Sequence, residues 1–262
     1  MGVSLKAEGG RMKDEGRRMK DDGKPETRNQ KSEGCLRGRS VLVSGFWFAV
    51  ILHHSAFILH PSPYDLLVNP TAFVIDPRQT GFVRLDLAEL FGNRHRVVLE
   101  IGSGKGRFLI SAATEQPDVN FIGIEKSLHY HRVIRDRVAK RGLRNIRLIN
   151  HDAFLVLRDM LSEASVDEIH VYFPDPWPRK REQKRRIIRA EVLTEMKRVL
   201  VPGGSGIYVT DHRDYYEAAA PVIEQFFRSE RRIPGPDDPP RTNYEAKFRQ
   251  EGREIFEVRF WR

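Results

Sequence analysis

Five carboxylates stand where buried-looking stretches of this chain give way to turns: Glu100, Glu125, Asp152, Asp175 and Asp211. Acids collected on one rim repel each other, which a purely structural design has little reason to tolerate. The first is the best marked. Val97-Val98-Leu99-Glu100-Ile101 runs into Gly102-Ser103-Gly104-Lys105-Gly106, with a glycine at every second position. An apolar run that meets such a turn reads as a buried strand feeding a helix. Glycines let the backbone approach a ligand, and the helix start behind them turns N–H groups toward it. The spacing is not that of a dinucleotide fingerprint, whose third glycine is replaced here by Arg107. Glu125 ends the next apolar run, where a carboxylate can accept both hydroxyls of a ribose. Asp152, within Asn150-His151-Asp152-Ala153, can accept from an adenine amino group.

Phe173-Pro174-Asp175-Pro176-Trp177-Pro178 is the most specific stretch. Three prolines in five residues lock φ and remove donors, so an acid and an indole are presented from a stiff frame. Arg179-Lys180-Arg181-Glu182-Gln183-Lys184-Arg185-Arg186-Ile187-Ile188-Arg189 follows, with seven basic residues of eleven. A charge run beside a candidate active-site loop reads as a footprint for phosphates.

Alternating elements must position these groups. Strands are expected over residues 96–102, 119–125, 146–150, 166–173, 206–210 and 254–261. Helices are expected over 106–115, 127–141, 154–161, 187–200 and 215–227, with helical spacing also over 85–91. Ser127 caps a helix start and Gly142 a helix end. Pro202-Gly203-Gly204 closes another helix. Five alternations of strand and helix imply a parallel sheet covered on both faces, with ligands outside the carboxyl ends of its strands.

Composition narrows the partners. A net charge of +9 favours an anionic one. Cys35 is the single cysteine, which excludes an intramolecular disulfide and a cysteine-based zinc site and fits a reducing cytoplasm. His129 and His131 lack companions at ligand spacing, so no metal is expected. Residues 1–40 are mixed in charge and nearly repeat a short segment, and are expected to be disordered. The apolar stretch 41–59 is broken by Ser44, Gly45, His53, His54 and Ser55, and 11 Lys and Arg precede it. Such flanks stay in the cytoplasm, so a span would export everything downstream; a membrane anchor is not expected. Residues 1–60 are read as a disordered or non-native leader, 61–95 as an extension, and 96–262 as the catalytic domain.

Together these motifs resemble class I S-adenosylmethionine methyltransferases, and specifically the bacterial tRNA (guanine-N7-)-methyltransferase family. The resemblance covers roughly residues 76–262. It rests on Leu99 through Gly106, Gly123-Ile124-Glu125, Asn150-His151-Asp152-Ala153, the Phe-Pro-Asp-Pro-Trp-Pro box, Thr210-Asp211 and Thr242-Asn243-Tyr244-Glu245, in that order. It implies a Rossmann-like α/β fold, with a mostly parallel seven-stranded sheet and helices on both faces. It implies S-adenosylmethionine held by Glu100, Gly102, Gly104, Glu125, Asp152 and Asp175, with Glu100 at its amino-acid part. Asp175 is implied as the key active-site acid. Substrate contacts are implied for Arg179, Asp211, Thr242, Asn243, Tyr244 and Glu245. The expected reaction is methyl transfer to N7 of a guanine in the tRNA variable loop, by a cytoplasmic monomer or homodimer that needs tRNA and no protein partner.

The chain departs from the family at Arg179, where lysine is usual, at Glu182, where histidine is usual, and at Asn243, which removes a cation. Two other readings use the same residues. One is an exocyclic-amine methyltransferase, although Trp177 precedes Pro178 where that box has proline before the aromatic. The other is a non-catalytic RNA-binding module on the same fold, although none of Glu100, Glu125, Asp152 and Asp175 is lost.

Overall fold

The computed structural model describes residues 73–235 and 237–262. The expectations for the 1–60 leader, the apolar stretch 41–59 and Cys35 lie outside the described residues, as does the first part of the 61–95 extension. No helix among the described residues is long and apolar enough to cross a membrane.

The apolar runs form strands β2 (Val97–Ile101), β3 (Asn120–Ile124) and β4 (Ile146–Ile149), buried along their whole length. Parallel strands covered on both faces need such continuous burial, and alternation in polarity is absent for that reason. A two-residue strand, β1 (Val74–Ile75), pairs with β4 at the sheet edge. Two short helices follow it, α1 (Pro77–Thr80) and α2 (Leu87–Phe91), each started by an aspartate cap, Asp76 and Asp86.

Helix α3 (Arg107–Glu115) follows the glycine turn, and α4 (Leu128–Arg141) follows β3. The expected caps hold: the Ser127 side chain accepts from the Tyr130 N–H, and Gly142 is left-handed at the other end. After β4 comes a single turn, α5 (Ala153–Leu155), which widens into a π turn over Val156–Met160 in place of the continuous helix expected there. Then come β5 (Val166–Tyr172), a 3-10 turn (Lys180–Arg185), α6 (Ala190–Val199), β6 (Leu200–Thr210), α7 (Arg213–Phe226), β7 (Arg228–Arg232), α8 (Asn243–Gln250) and β8 (Phe256–Trp261).

The sheet order is β1-β4-β3-β2-β5-β6-β8-β7, parallel from β1 through β6 and antiparallel where β8 joins β6 and β7. This is a Rossmann-like sheet. The chain lays down β3 and β4 on one side of β2, then returns to add β5 on the other. A crevice must open where the winding reverses, outside the carboxyl ends of β2 and β5. The glycine turn and the proline-rich loop leave the sheet at those two ends. The core divides by face: Val98, Leu109, Phe121 and Ile134 pack one side under α3 and α4. Leu99, Ile169, Val192 and Ile223 pack the other under α6 and α7.

The eight strands among the described residues exceed the seven expected. β1, Val74–Ile75, is too short to show a period, and β7, with the sequence Arg228-Ser229-Glu230-Arg231-Arg232, carries no apolar signal. The β7 edge is charged, as exposed edges often are. A second departure lies at Pro202-Gly203-Gly204. The expected helix over 187–200 is shorter, and β6 already begins at Leu200. Val166 pairs with Leu200 but Glu168 with Ser205, so the proline and glycines form a bulge inside the strand.

Gly102, Gly104 and Gly106 all have positive φ, at 78°, 51° and 74°. The turn thus needs glycine for its backbone, beyond any need for close approach. At Gly106 a Cβ would also lie 2.4 Å from Ile134 Cδ1. Gly106→Ala therefore combines left-handed strain with overpacking and is expected to cost about 2–4 kcal/mol, read from the denaturant midpoint; a loss under about 0.5 kcal/mol contradicts this account of the turn.

Candidate active site

The glycine turn is pinned across the ends of two strands. The Gly102 and Ser103 N–H groups donate to the Ile124 carbonyl at 2.8 and 3.1 Å. Glu125, the next residue, accepts from the Gly104 N–H at 2.8 Å and from the Ser127 N–H at 2.7 Å. One carboxylate thus braces the turn after β2 against the cap of α4. An ionised carboxylate offers about four acceptor positions, so two remain for a ligand. Helix α3 starts at Gly106 with no side-chain cap, which leaves its first N–H groups to a ligand or water. A Cβ at Gly102 would meet nothing within 4 Å, so open space lies beside the turn.

Glu100 lies below this turn and is 3% exposed. Its Oε2 has no hydrogen-bond partner among the described residues. Burial first, then the nearby Glu125 charge, pushes its carboxyl well above the usual carboxylate range, against the hydrogen bond from Ser103. A buried acceptor left open beneath a glycine turn is suited to a cationic group such as a ligand's ammonium.

Asp152 does two jobs at the end of β4. Its Oδ1 accepts from the Phe154 N–H at 3.0 Å and its Oδ2 pairs with Lys126 at 3.1 Å. Burial opposes its ionisation, but the Lys126 hydrogen bond and charge outweigh that and hold the carboxyl below its usual value. Asn150 donates to the Glu125 carbonyl at 2.6 Å, which fixes the end of β4 against the end of β3.

The Phe173–Pro178 loop is strained. Phe173 and Trp177 have φ of 48° and 43°, a conformation that side-chain-bearing residues avoid. Strain of this kind persists only where the surroundings impose it. Here the Phe173 N–H donates to the Val209 carbonyl at 2.8 Å, and Phe173 packs edge-on against Phe248. Arg186 donates to the Pro176 carbonyl at 2.8 Å while its guanidinium lies 4.5 Å over the Tyr215 ring. Between the two strained residues Asp175 is exposed, and no side chain among the described residues hydrogen-bonds or pairs with its carboxylate.

Tyr244 brings the two halves together. Burial chiefly, then the Tyr130 hydroxyl and the Asp175 and Glu125 charges, raise its phenol above the ordinary value. Tyr130 on α4 and Tyr244 on α8 thus stand with both carboxylates at one mouth. The chain offered no signal for Tyr130, which lies in an ordinary helical stretch.

Other expected contacts are placed differently. The Thr242 side chain caps α8 by accepting from the Glu245 N–H at 3.0 Å. Glu245 is fully buried, and its carboxylate takes the Arg241 backbone N–H and the Arg241 and Arg249 guanidiniums. Glu245 is expected as a substrate contact, and here its carboxylate is spent on these bonds and fixes the start of α8. The Thr-x-x-Glu spacing carries the cap signal, whereas Arg241 and Arg249 carried none. Asn243 is exposed and accepts from Arg107 at 3.0 Å. Asp211 pairs with Arg253 at 2.8 Å at the end of β6. The Arg185 guanidinium sits 4.8 Å over the Trp177 ring, so one indole face is already covered. Burial divides the basic run: Arg179, Lys180, Arg181, Lys184 and Arg185 are exposed, and Arg186 is buried in support of the loop.

Comparison with known proteins bears on the family and the fold. Residues 94–258 match the family described as "Putative methyltransferase". A tRNA (guanine-N(7)-)-methyltransferase of Actinobacillus pleuropneumoniae is 34% identical over 204 residues, spanning 75% of this chain and 80% of that protein. One of the same name from Nitrosomonas eutropha is 38% identical over 175 residues, 65% of this chain and 76% of that protein. Among solved structures, an antibiotic-related methyltransferase superposes with a TM-score of 0.50 at 18% identity, covering 70% of this chain and 97% of that one, which bears on the fold alone.

Glu100 gives a pH test. Its carboxyl is raised on folding from an ordinary value of 4.5, so over the window above 4.5 the native state keeps a proton that the unfolded chain releases. Stability falls as pH rises through that window. Glu100→Gln is thus expected to melt higher than the parent at about pH 8, with the gap closing toward about pH 4.5. A melting difference that does not change between those pH values contradicts the assignment.

Proposed function

The chain belongs to the tRNA (guanine-N(7)-)-methyltransferase family, and from that premise we propose how its rim carries out S-adenosylmethionine-dependent methylation of guanine N7 in tRNA. The observation that carries the reading is the pairing, across the β2–β5 crevice, of an open buried acceptor at Glu100 with an unpartnered carboxylate at Asp175 on a strained loop. The first suits a cationic cofactor and the second a hydrogen-bonding base.

The residues fit S-adenosylmethionine. Glu100 would take the ammonium of its amino-acid part, and the uncapped start of α3 would serve its carboxylate. Glu125 has two acceptor positions left that would serve the ribose hydroxyls. Asp152 would accept from the adenine amino group, its present partner Lys126 being largely exposed. When bound, the cofactor supplies an electrophilic methyl group on a sulfonium sulfur.

Guanine N7 carries an in-plane lone pair and needs no prior deprotonation, so alignment matters more than a base. Asp175 accepts from the N1 and N2 edge of the guanine and turns N7 inward. Tyr244 and the open face of Trp177 flank the base, which must leave its stack to reach this mouth. Asn243 and Asp211 sit at the same rim, and Thr242 and Glu245 act by holding α8. Arg179 contacts the guanosine or its nearest phosphate. The remaining exposed basic residues grip backbone. No metal enters this chemistry, and the variable loop is the target segment. Both tRNA and the cofactor are cytoplasmic, which is where the activity belongs.

Incubation with unmodified tRNA and the cofactor, then nucleoside mass spectrometry, should yield 7-methylguanosine. An N-methylated exocyclic amine in its place would favour the rival chemistry. Asp175→Ala should keep the melting temperature and tRNA affinity yet lose about 100-fold or more in turnover. Turnover near that of the parent sinks the role of Asp175.

Neutralising Arg179, Lys180, Arg181, Lys184 and Arg185 together should lower the log–log salt slope of tRNA binding by about 2–4 units, with cofactor affinity unchanged. Native salt dependence and native affinity in that variant would reduce the run to a solvated surface.

A further inference from the structure

A second basic surface lies outside the run after Pro178. A groove follows the outer face of α3 and is walled by the last two turns of α4. Arg107, Arg137 and Arg141 line it, and Asn243 closes its upper end. All three arginines are exposed.

Their partners leave these charges uncancelled. Arg137 donates to the Lys105 carbonyl at 2.8 Å, Arg141 to the Arg137 carbonyl at 3.1 Å, and Arg107 to the Asn243 side-chain oxygen at 3.0 Å. Each acceptor is neutral. Among the described residues none of the three guanidiniums has a carboxylate within ion-pair distance, whereas Arg78, Arg96, Arg158, Arg198 and Arg231 elsewhere all do. Neutral acceptors fix the direction of a guanidinium without cancelling its charge, and each keeps further donors free. The one carboxylate lining the groove, Glu115, is turned toward the Ser111 hydroxyl at 2.8 Å.

The charges are strung out rather than converging. Arg137 and Arg141 are one helical turn apart, about 6 Å along the axis. Arg107 stands at the other wall, at the first position of α3. An extended series of fixed cations in an open groove suits a repeating anion better than a single compact one. The groove also leads into the candidate site: Gly106 of the glycine turn forms part of its lining, and Arg107 is tied to the Asn243 amide next to Tyr244.

We propose that this α3–α4 groove binds the phosphodiester backbone of the tRNA segment that leaves the site after its guanine has been inserted. The proposal rests on the tRNA methyltransferase reading for the identity of the RNA. It adds a second anchor, on the opposite side of the crevice from the basic run, so that the RNA is gripped on both sides of the target base.

The test uses the full chain with Arg141 replaced by glutamine, since Arg141 bonds to the Arg137 carbonyl and not to the glycine turn. Unmodified tRNA transcript is titrated across a range of salt concentrations, and S-adenosylhomocysteine is titrated by calorimetry. The log–log salt slope should fall by about 0.7–0.9 units, the loss of one phosphate contact. The KM for tRNA should rise, with kcat at saturating tRNA and the S-adenosylhomocysteine affinity unchanged. Arg141→Lys keeps the charge and should restore most of the slope. A glutamine variant with the parent's slope and KM overturns the proposal, and so does a lysine variant that behaves like the glutamine one. The slope is read on binding alone. A parent protein that binds tRNA but forms no 7-methylguanosine therefore overturns the activity, while the groove is still decided by the slope.

Discussion

One carboxylate holds the rim together. Glu125 accepts the N–H of Gly104 from the turn after β2 and the N–H of Ser127 from the cap of α4. These bonds join two loops that the sheet brings side by side, since Ile101 pairs with Ile124 in the register of β2 and β3. The turn above them has three glycines with positive φ, a conformation with little stiffness of its own. Without the brace its N–H groups would have no fixed direction. With it, the start of α3, the open oxygen of Glu100 and the end of β4 are set in one frame before any ligand arrives, and ordering costs that binding would otherwise meet are reduced.

The opposite wall of the crevice is fixed in another way. Strain at Phe173 and Trp177 is held by the Phe173 bond to the Val209 carbonyl, by Phe248 and by Arg186, whose guanidinium is shared between the Pro176 carbonyl and the Tyr215 ring. The outcome is an acid with no competing partner on a frame that cannot collapse around it. The other rim acids are neutralised one by one. Backbone N–H groups serve Glu125, Lys126 serves Asp152, Arg253 serves Asp211, and burial favours the protonated form of Glu100. Mutual repulsion is therefore a weak argument for their function. The distribution of partners is a better one, because it leaves Asp175 free and Glu100 half satisfied.

Much of this was legible in the sequence. The continuous apolar runs gave the parallel strands, because burial on both faces leaves no room for alternation, and Ser127 and Gly142 marked the ends of α4 through local backbone chemistry. Strand β1 was not visible because two residues carry no period, and β7 because its charged side chains serve a sheet edge. Pro202-Gly203-Gly204 read as a helix stop but is a bulge within β6, since the register against β5 outweighs local turn preference. In the site, the rim acids were evident from their places at strand ends. The burial of Glu245 was not, because it depends on Arg241 and Arg249 folding over it. Nor could spacing separate Arg186 from the exposed members of its run, which differ only in what packs against them.

Glu125 is the observed brace, and the proposed function makes it the ribose acceptor as well. Titration of S-adenosylhomocysteine into Glu125→Ala by calorimetry tests it most directly. Loss of charge-assisted hydrogen bonds of about 1–3 kcal/mol predicts a Kd weaker by roughly 5- to 150-fold, in a protein that still melts cooperatively. A folded variant with the Kd of the parent would contradict the central claim.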